Sequence, residues 1–468
     1  MRERVRFLLK NVGILTFSNF TSKILIFLLV PLYTSVLSTT EYGTYDLVVS
    51  IVTLLYPVLT ANIADAVMRF VMDETYANKK VTLIGVKYVV FSIIVISVPL
   101  FLVNKLALWK EILGLEIYIA LYYVFYVFNQ FFIQLAKGLE KIADMGIASI
   151  LGTITMVVSN LLFLLALKWG LPGFFVSNIL AQAIPVIYFF FRLKFWEYII
   201  EVKIDRNIQI EMLKYCVPLI TTTLSWWINS TSDKLVVSFI CGVAANGILS
   251  VSHKIPQIIN TIQGIFIQAW QISAIKEYDR HDVSNFYTTA FFAFNLLMSV
   301  SCACLIILSK PLAKILYAND FYVAWQYVPF LLVSIVINGA SGFLGPILVA
   351  KKDSKTMALS AIYGSVVNVL LNILLVFFIG IQGSTIATVI SSFVIYNKRK
   401  KAIHNEIIFS RYYVVYITWL LLITQAIIEI YLPFWQIEIL IMTIMLAINW
   451  SGVKEFLRVI FELFMKKN

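Results

Sequence analysis

Apolar residues fall in long runs along almost the whole chain, separated by short polar connections, and within the runs apolar and polar positions do not alternate. Fourteen runs are candidates to cross a membrane: 11–37, 46–68, 84–103, 112–136, 147–167, 173–191, 213–239, 246–275, 286–308, 326–349, 357–378, 383–396, 414–431 and 435–450. A transmembrane helix needs about 20 apolar residues, whereas barrel strands are about 10 long and alternate. The runs therefore predict helices. Composition points the same way: 60% of the 468 residues are hydrophobic and 13% charged, against about 25% charged in soluble domains. A soluble globular enzyme is excluded.

The net charge of +12 is compatible with nucleic acid or with an anionic membrane face. Position separates these. With the N-terminus inside, 28 of the 37 Lys and Arg residues fall in cytoplasmic segments, Lys214 at the very start of its run counted with the segment before it, and 5 in outer loops, leaving Lys23, Lys87, Lys234 and Lys254 within runs. This is the positive-inside distribution. One missed span would reverse every later loop and scramble it, so fourteen spans with both termini cytoplasmic are expected. Basic runs such as Lys398-Arg399-Lys400-Lys401 then stand at membrane exits, as topology signals beside anionic lipid, and no nucleic-acid partner is expected. No cleavable signal peptide is expected, because the first run is too long and no small-residue cleavage site follows it. Cys216, Cys241, Cys302 and Cys304 lie in or at the ends of runs and read as free thiols, with no metal site expected.

The longest polar connections are 192–212 and 397–413, which leaves no domain outside the membrane. The division expected is a six-helix lobe over 1–191, a cytoplasmic linker at 192–212, a second six-helix lobe over 213–396, and a C-terminal pair with its loop and tail at 397–468. The halves align with each other. Leu8-Leu9-Lys10 matches Met212-Leu213-Lys214 at an offset of 204, as Tyr42-Gly43 matches Asn246-Gly247. Gly170-Leu171-Pro172-Gly173 matches Gly380-Ile381-Gln382-Gly383 at 210. Six is even, so the two pseudo-repeats enter the membrane with the same polarity. Parallel halves of this kind place a substrate site at their interface.

An ordered set of motifs runs through the chain: Lys10-Asn11, Pro31, Glu41-Tyr42-Gly43-Thr44-Tyr45 and Arg69, then Tyr215-Cys216-Val217-Pro218-Leu219, Asp233-Lys234, Gly242, Asn246-Gly247-Ile248, His253-Lys254-Ile255 and Gly380-x-x-Gly383-x-x-Ile386-Ala387-Thr388. Over essentially its whole length the chain resembles the polysaccharide-export branch, the O-antigen and capsule flippases, of the multidrug/oligosaccharidyl-lipid/polysaccharide exporter superfamily. Asn246 departs from that pattern, since relatives more often carry an apolar residue before the Gly. The resemblance implies an all-α integral membrane protein of the bacterial inner membrane. It also implies a central cavity lined by the first two helices of each half, and alternating access for undecaprenyl-diphosphate-linked oligosaccharides. Membrane lipids and a polysaccharide polymerase or assembly protein would be its partners.

Charged residues within spans are costly, at about 2.5–3.5 kcal/mol each near a helix centre, and normally face a bundle interior or a wet cavity. Asn19 and Lys23 share a face of the first span, with Lys23 near mid-membrane. Asn62, Asp65 and Arg69 share a face of the second, with Asp65 and Arg69 spaced for an intrahelical pair. The seventh carries Thr222, Ser225, Asn229, Ser232 and Asp233. The eighth carries a seam of Ser250, Lys254, Gln257, Thr261, Gly264, Gln268 and Gln271 at steps of four and three. A diphosphate entering low dielectric needs cations, which Lys23, Arg69, Lys234 and Lys254 supply. Asn19, Asn62, Asn229, Gln257, Thr261 and Gln268 suit sugar hydroxyls, and Trp226, Trp227 and Trp270 offer flat apolar faces. Simpler readings stay open: Lys23 paired in the core, Asp65 and Arg69 as a local ion pair, polar seams as helix-to-helix bonds, and Trp residues facing lipid.

No phosphate-binding loop, nucleotide segment or metal spacing occurs, and there are 3 histidines. No cofactor is expected. Transport would run on substrate flux or on an H⁺ or Na⁺ gradient, with Asp65, Asp233 and His253 as coupling candidates. A lipid II or teichoic-acid-precursor flippase and a drug or cation antiporter are the nearest alternatives. A membrane polymerase, ligase or glycosyltransferase would present acids, arginines or histidines on a large outer loop, whereas 309–325 carries only Asp320 as an acid.

Overall fold

In the computed structural model the described residues are 23–73, 75–106, 113–199, 204–278, 283–404, 412–432 and 434–449. Asn19, the first turns of the first span and the C-terminal tail lie outside them. The described chain is helical and has no strand. Helix lies in each of the fourteen intervals, and nine helices among the described residues are long and apolar enough to cross a membrane. Three more, Lys23–Val36, Val243–Ser252 and Trp435–Ile448, are apolar but shorter. The chain divides into two compact units, Met1–Trp227 and Ile228–Asn468.

In the first unit, α1 (Val30–Val36) ends at Leu37, and Ser38 opens α2 (Thr39–Leu59) through a capping box with Glu41. The hairpin between the first two spans is thus only two residues long. Tyr42 stacks on Tyr33 at 4.9 Å, and Tyr45 meets Phe174 edge-on at 4.6 Å. The Glu41–Tyr45 motif therefore caps a helix and anchors the hairpin on Phe174.

The second span is not continuous. Asn62 N–H donates to Pro57 O at 2.8 Å and Ala61 N–H to Val58 O at 3.2 Å, the double bond of a Schellman ending, with Ala61 and Asn62 at φ 51° and 52°. Helix resumes as α3 (Ile63–Val71). The expected helix over 46–68 misses this break because Ala61 carries no Gly signal. Then follow α4 (Asn78–Leu106), α5 (Glu116–Gly138), α6 (Ile142–Asn160) and α7 (Gly170–Arg192).

The next helix, α8 (Arg206–Cys241), starts seven residues before the apolar run and draws in part of the expected linker. Its first turns are tied to the third span: Lys80 Nζ lies 3.1 Å from Asp205 Oδ2, Tyr76 O–H donates to Glu211 Oε2 at 2.7 Å, and Gln209 Nε2 to Tyr88 Oη at 2.8 Å. These bonds join segments that the charge count places on one side of the membrane.

In the second unit, the eighth span is α9 (Val243–Ser252) and α10 (Pro256–Glu277), kinked at His253–Ile255, where Pro256 lacks the N–H that would continue the ladder. Then come α11 (Val283–Ile307), α12 (Ser309–Leu316), α13 (Val328–Ala350), α14 (Ser354–Ile379), α15 (Ile381–Ile403), α16 (Tyr412–Tyr431) and α17 (Trp435–Ile448). Buried on nearly every side, α13 forms the centre of this unit, with Phe343 stacked on Trp270 at 4.1 Å. The twelfth span is longer than the expected 383–396 and takes the basic run 398–401 into its last turns.

The glycines matched at an offset of 210 have matching roles. Gly170 and Gly380 hold φ of +59° and +61° at the turns into α7 and α15. Three residues on, a Cβ on Gly173 would stand 2.8 Å from Trp169 Cβ, and one on Gly383 would run into the Leu375 backbone.

Candidate functional site

In the first unit the break at Ala61–Asn62 puts Asn62 at the start of α3, where its amide donates to Asp65 Oδ2 at 2.7 Å. From α5, Gln134 Nε2 donates to Asp65 Oδ1 at 2.8 Å. Asp65 therefore rests on two amides and not on Arg69, contrary to the spacing argument. Arg69 turns to Asp73, with Nη1 3.6 Å from Oδ2 and more than half its side chain exposed. The physical reason is position. Asp65 lies on the first turn of a short helix facing α5, while Arg69 reaches the solvated last turn. Asp73 is held mainly by the hydroxyl and N–H of Thr75, with the Arg69 charge a lesser influence, and together they keep its carboxyl below its ordinary range.

Lys23, at the start of the described chain, has an exposed side chain. One turn further, Ile26 lines a cavity of about 500 Å³ among α5, α6 and α7. Its polar lining is Asn129, Lys137, Ser149, Thr153 and Gln182, and Asn129 donates to Gln182 Oε1 at 2.6 Å. None of the residues singled out from the sequence lines it. Charge alone does not point to the amides of the fourth and sixth spans. Their signal was available, because Asn129, Gln130 and Gln134 recur on an otherwise apolar run.

In the second unit, α8 and the kink of the eighth span bring Asp233 and His253 together, with Nε2 3.6 Å from Oδ2. The Asp233 carboxylate also accepts the Lys234 N–H at 2.9 Å. Both acid and imidazole are largely enclosed. Lys234 and Lys254 are half-buried, and each has further interactions within the protein.

The two polar stripes divide by role. Ser232 donates to Asn368 Oδ1 at 3.4 Å, and Asn368 bonds Ser391 and Asn372, so the end of the α8 stripe joins helix to helix. On the eighth span, Ser250 and Thr261 are buried, and the Thr261 hydroxyl donates to Gln257 O at 2.8 Å within its own helix. Gln257, Gln268 and Gln271 are exposed and Asn229 is half-exposed. The seam is thus a row of exposed amides over buried hydroxyls, bent at Pro256.

The tryptophans divide as well. Trp270 is core: it is buried, stacks on Phe343 and donates Nε1–H to Phe343 O at 2.9 Å, so it offers no platform for a sugar. Trp227 donates to Thr53 Oγ1 at 3.1 Å, and Trp226 is exposed. Arg399 also departs from its expected place in a basic run at the membrane surface. It is 5% exposed, and donates to Ser341 O at 2.8 Å and Ser360 Oγ at 3.1 Å. Helix periodicity turns it inward while Lys398 and Lys400 lie over tyrosine rings.

A family model described as polysaccharide biosynthesis protein matches residues 8–271, more than half of the chain. The chain belongs to that family. Among solved structures it is similar to a lipid II flippase MurJ in an inward closed conformation, with a TM-score of 0.72 and 16% identity over 95% of this chain and 99% of the other. It is also similar to an inward-facing multidrug resistance MATE family transporter of the MOP superfamily, with a TM-score of 0.66 and 14% identity over 82% and 95%. For a MATE protein in complex with MaL6 the values are 0.59 and 14%, over 85% and 96%. At these identities the likeness is one of fold. No curated protein matches at a significant level. The chain thus combines membership of the polysaccharide biosynthesis family with the fold of these transporters, and nine of its described helices are long and apolar enough to cross a membrane.

Proposed function

We propose that this protein flips undecaprenyl-diphosphate-linked oligosaccharide repeat units, of O-antigen, capsule or a related polysaccharide, across the bacterial inner membrane by alternating access. The carrying observation is membership of a polysaccharide biosynthesis family over the segment that contains Lys23, Arg69, Lys234 and Lys254. Exposed Lys23 and Arg69 would meet the diphosphate, with Arg69 at the inner mouth offering planar donors only lightly engaged by Asp73. Exposed Gln257 and Gln268 and half-exposed Asn229 would bond sugar hydroxyls. An excess of cations in these helices disfavours a cationic drug, because like charges repel.

A second reading, lipid II as cargo, draws support from the likeness to a lipid II flippase over 95% of this chain. Both cargoes present a lipid-linked diphosphate and differ in their sugars, so the cations serve either. The test is complementation. In a strain lacking its own O-antigen flippase, the wild-type chain should restore surface polysaccharide, and Lys23→Ala and Arg69→Ala should not, while both still insert. Full export by both variants would overturn the headgroup role. Rescue of a strain depleted of lipid II flipping, with none of the polysaccharide strain, would select the second reading.

A further inference from the structure

The C-terminal helix pair holds two carboxylates that the flipping proposal does not use. Glu429 near the end of α16 and Glu438 in the first turn of α17 are 4% and 1% exposed. The Glu438 carboxyl lies within hydrogen-bonding reach of the Glu429 carboxyl and the Gln425 amide. Two carboxylates bond to each other only if one of them carries a proton, because two adjacent anions repel in a low-dielectric site.

A count of donors leads to the same point. From α12, Ser309 O–H donates to Glu429 Oε1 at 3.0 Å, and Lys310 Nζ lies 3.5 Å from Glu429 Oε2 and donates to Glu429 O at 2.8 Å. Gln425 Nε2 donates to Ala303 O at 3.1 Å. These bonds satisfy Glu429 and leave Glu438 Oε2 and Gln425 Oε1 buried with no donor. The cluster has one cation against two acids, and two of its buried oxygens lack a donor. A single proton on Glu438 balances the charge and turns its unmet oxygen into a donor.

The other elements packed on the pair do not supply that charge. Among its described residues α11 offers the Cys302 and Cys304 thiols, the latter touching Met442 of α17 at 3.9 Å, and the Tyr287 phenol, which donates to Ala274 O, while α13 carries no titratable residue. Lys310 is itself committed, with Nζ 4.4 Å from the centre of the Trp325 ring. The N-terminus of α17 favours an ionised Glu438, but only as a half-charge at the helix end, against a full like charge in contact.

We infer that Glu429 and Glu438 form a proton-binding site in the C-terminal helix pair, outside the two six-helix repeats, with Lys310 as fixed counter-ion. The proton comes from water and rests on Glu438, hydrogen-bonded toward Glu429. Its loss returns it to water and leaves a net negative charge between α16 and α17, which that packing cannot hold without hydration. The inference does not depend on what the protein carries.

The test is infrared titration of the purified full-length protein in detergent, following the carbonyl stretch of protonated carboxylic acids. The wild type should show such a band at neutral pH, it should titrate away in alkali, and Glu438→Gln should lack it. Glu438→Gln copies the shape of the protonated acid and should fold. If it does not, Lys310→Met provides the second arm: removal of the counter-ion should move loss of the band to higher pH. The site is overturned if the wild type lacks the band, if Glu438→Gln retains it, or if Lys310→Met leaves its titration unchanged. A titration displaced by Na⁺ but not by K⁺ at constant ionic strength would also overturn it, in favour of a sodium site.

Discussion

Asp65 shows how an acid is kept within an apolar helix: two amides take its two oxygens, and the nearby arginine is left for the surface. Replacing Gln134 with Leu removes one of these donors from a half-buried carboxylate. It should cost about 1–2 kcal/mol, as expected when an ionised acceptor loses a partner, and lower the melting temperature in detergent. An unchanged melt would mean that water replaces the amide without loss. Asp233 and His253, coupling candidates on sequence, stand together in the second unit. If they couple transport to a gradient, Asp233→Asn should remove the gradient dependence of flipping in proteoliposomes while binding persists. An unchanged response eliminates Asp233. Arg399 makes its two bonds from one planar fork, which Lys cannot copy. Arg399→Lys should therefore destabilise the second unit more than Lys401→Ala, by about 1–3 kcal/mol, and thermal melts of the two variants compare them.

At the scale of elements, the helices were legible in the sequence and their interruptions were not. Apolar runs report where a chain is dehydrated, and each of them is helical over its described residues, short interruptions apart. A Schellman ending at Ala61 and Asn62 depends on hydrogen bonds back to Pro57 and Val58, with no glycine to mark it. The kink at Pro256 was visible as a proline, yet the polar seam runs through it and reads as a continuous helix. Partnerships were the least legible feature, because Asp65 could reach Arg69 by spacing and Gln134 only through tertiary packing. The glycine repeat was readable because a left-handed turn and a close backbone approach each demand glycine. Gly383→Ala forces a Cβ into the Leu375 backbone and should sharply reduce folded protein. Gly380→Asn meets open space and costs only the backbone conformation, φ 61° with ψ −146°, which is essentially reserved for glycine and costs about 1–3 kcal/mol. Comparing the two by size-exclusion profile checks this, and equal behaviour would mean that close approach is not what fixes Gly383.

For the whole molecule, the ties between the third span and the start of α8 give a defined pH signature. The Lys80 ammonium, hydrogen-bonded to Asp205, holds that carboxyl below its ordinary value of about 4. A depressed folded pKa contributes stability that is fully present above the ordinary value and is lost as pH falls through the depressed one. Asp205→Asn should therefore lower the melting temperature at pH 7 and make no difference in strong acid. A gap that persists in acid would show that the pair acts through packing alone.

The central claim is that the in-span cations move a lipid-linked diphosphate, and translocation itself tests it most directly. Purified protein in liposomes with undecaprenyl-diphosphate-linked oligosaccharide in the outer leaflet should move the glycan out of reach of an external glycosidase. Lys23→Ala should leave it accessible. Protection by Lys23→Ala at the wild-type rate, or no protection by the wild type under either imposed gradient, would contradict the account.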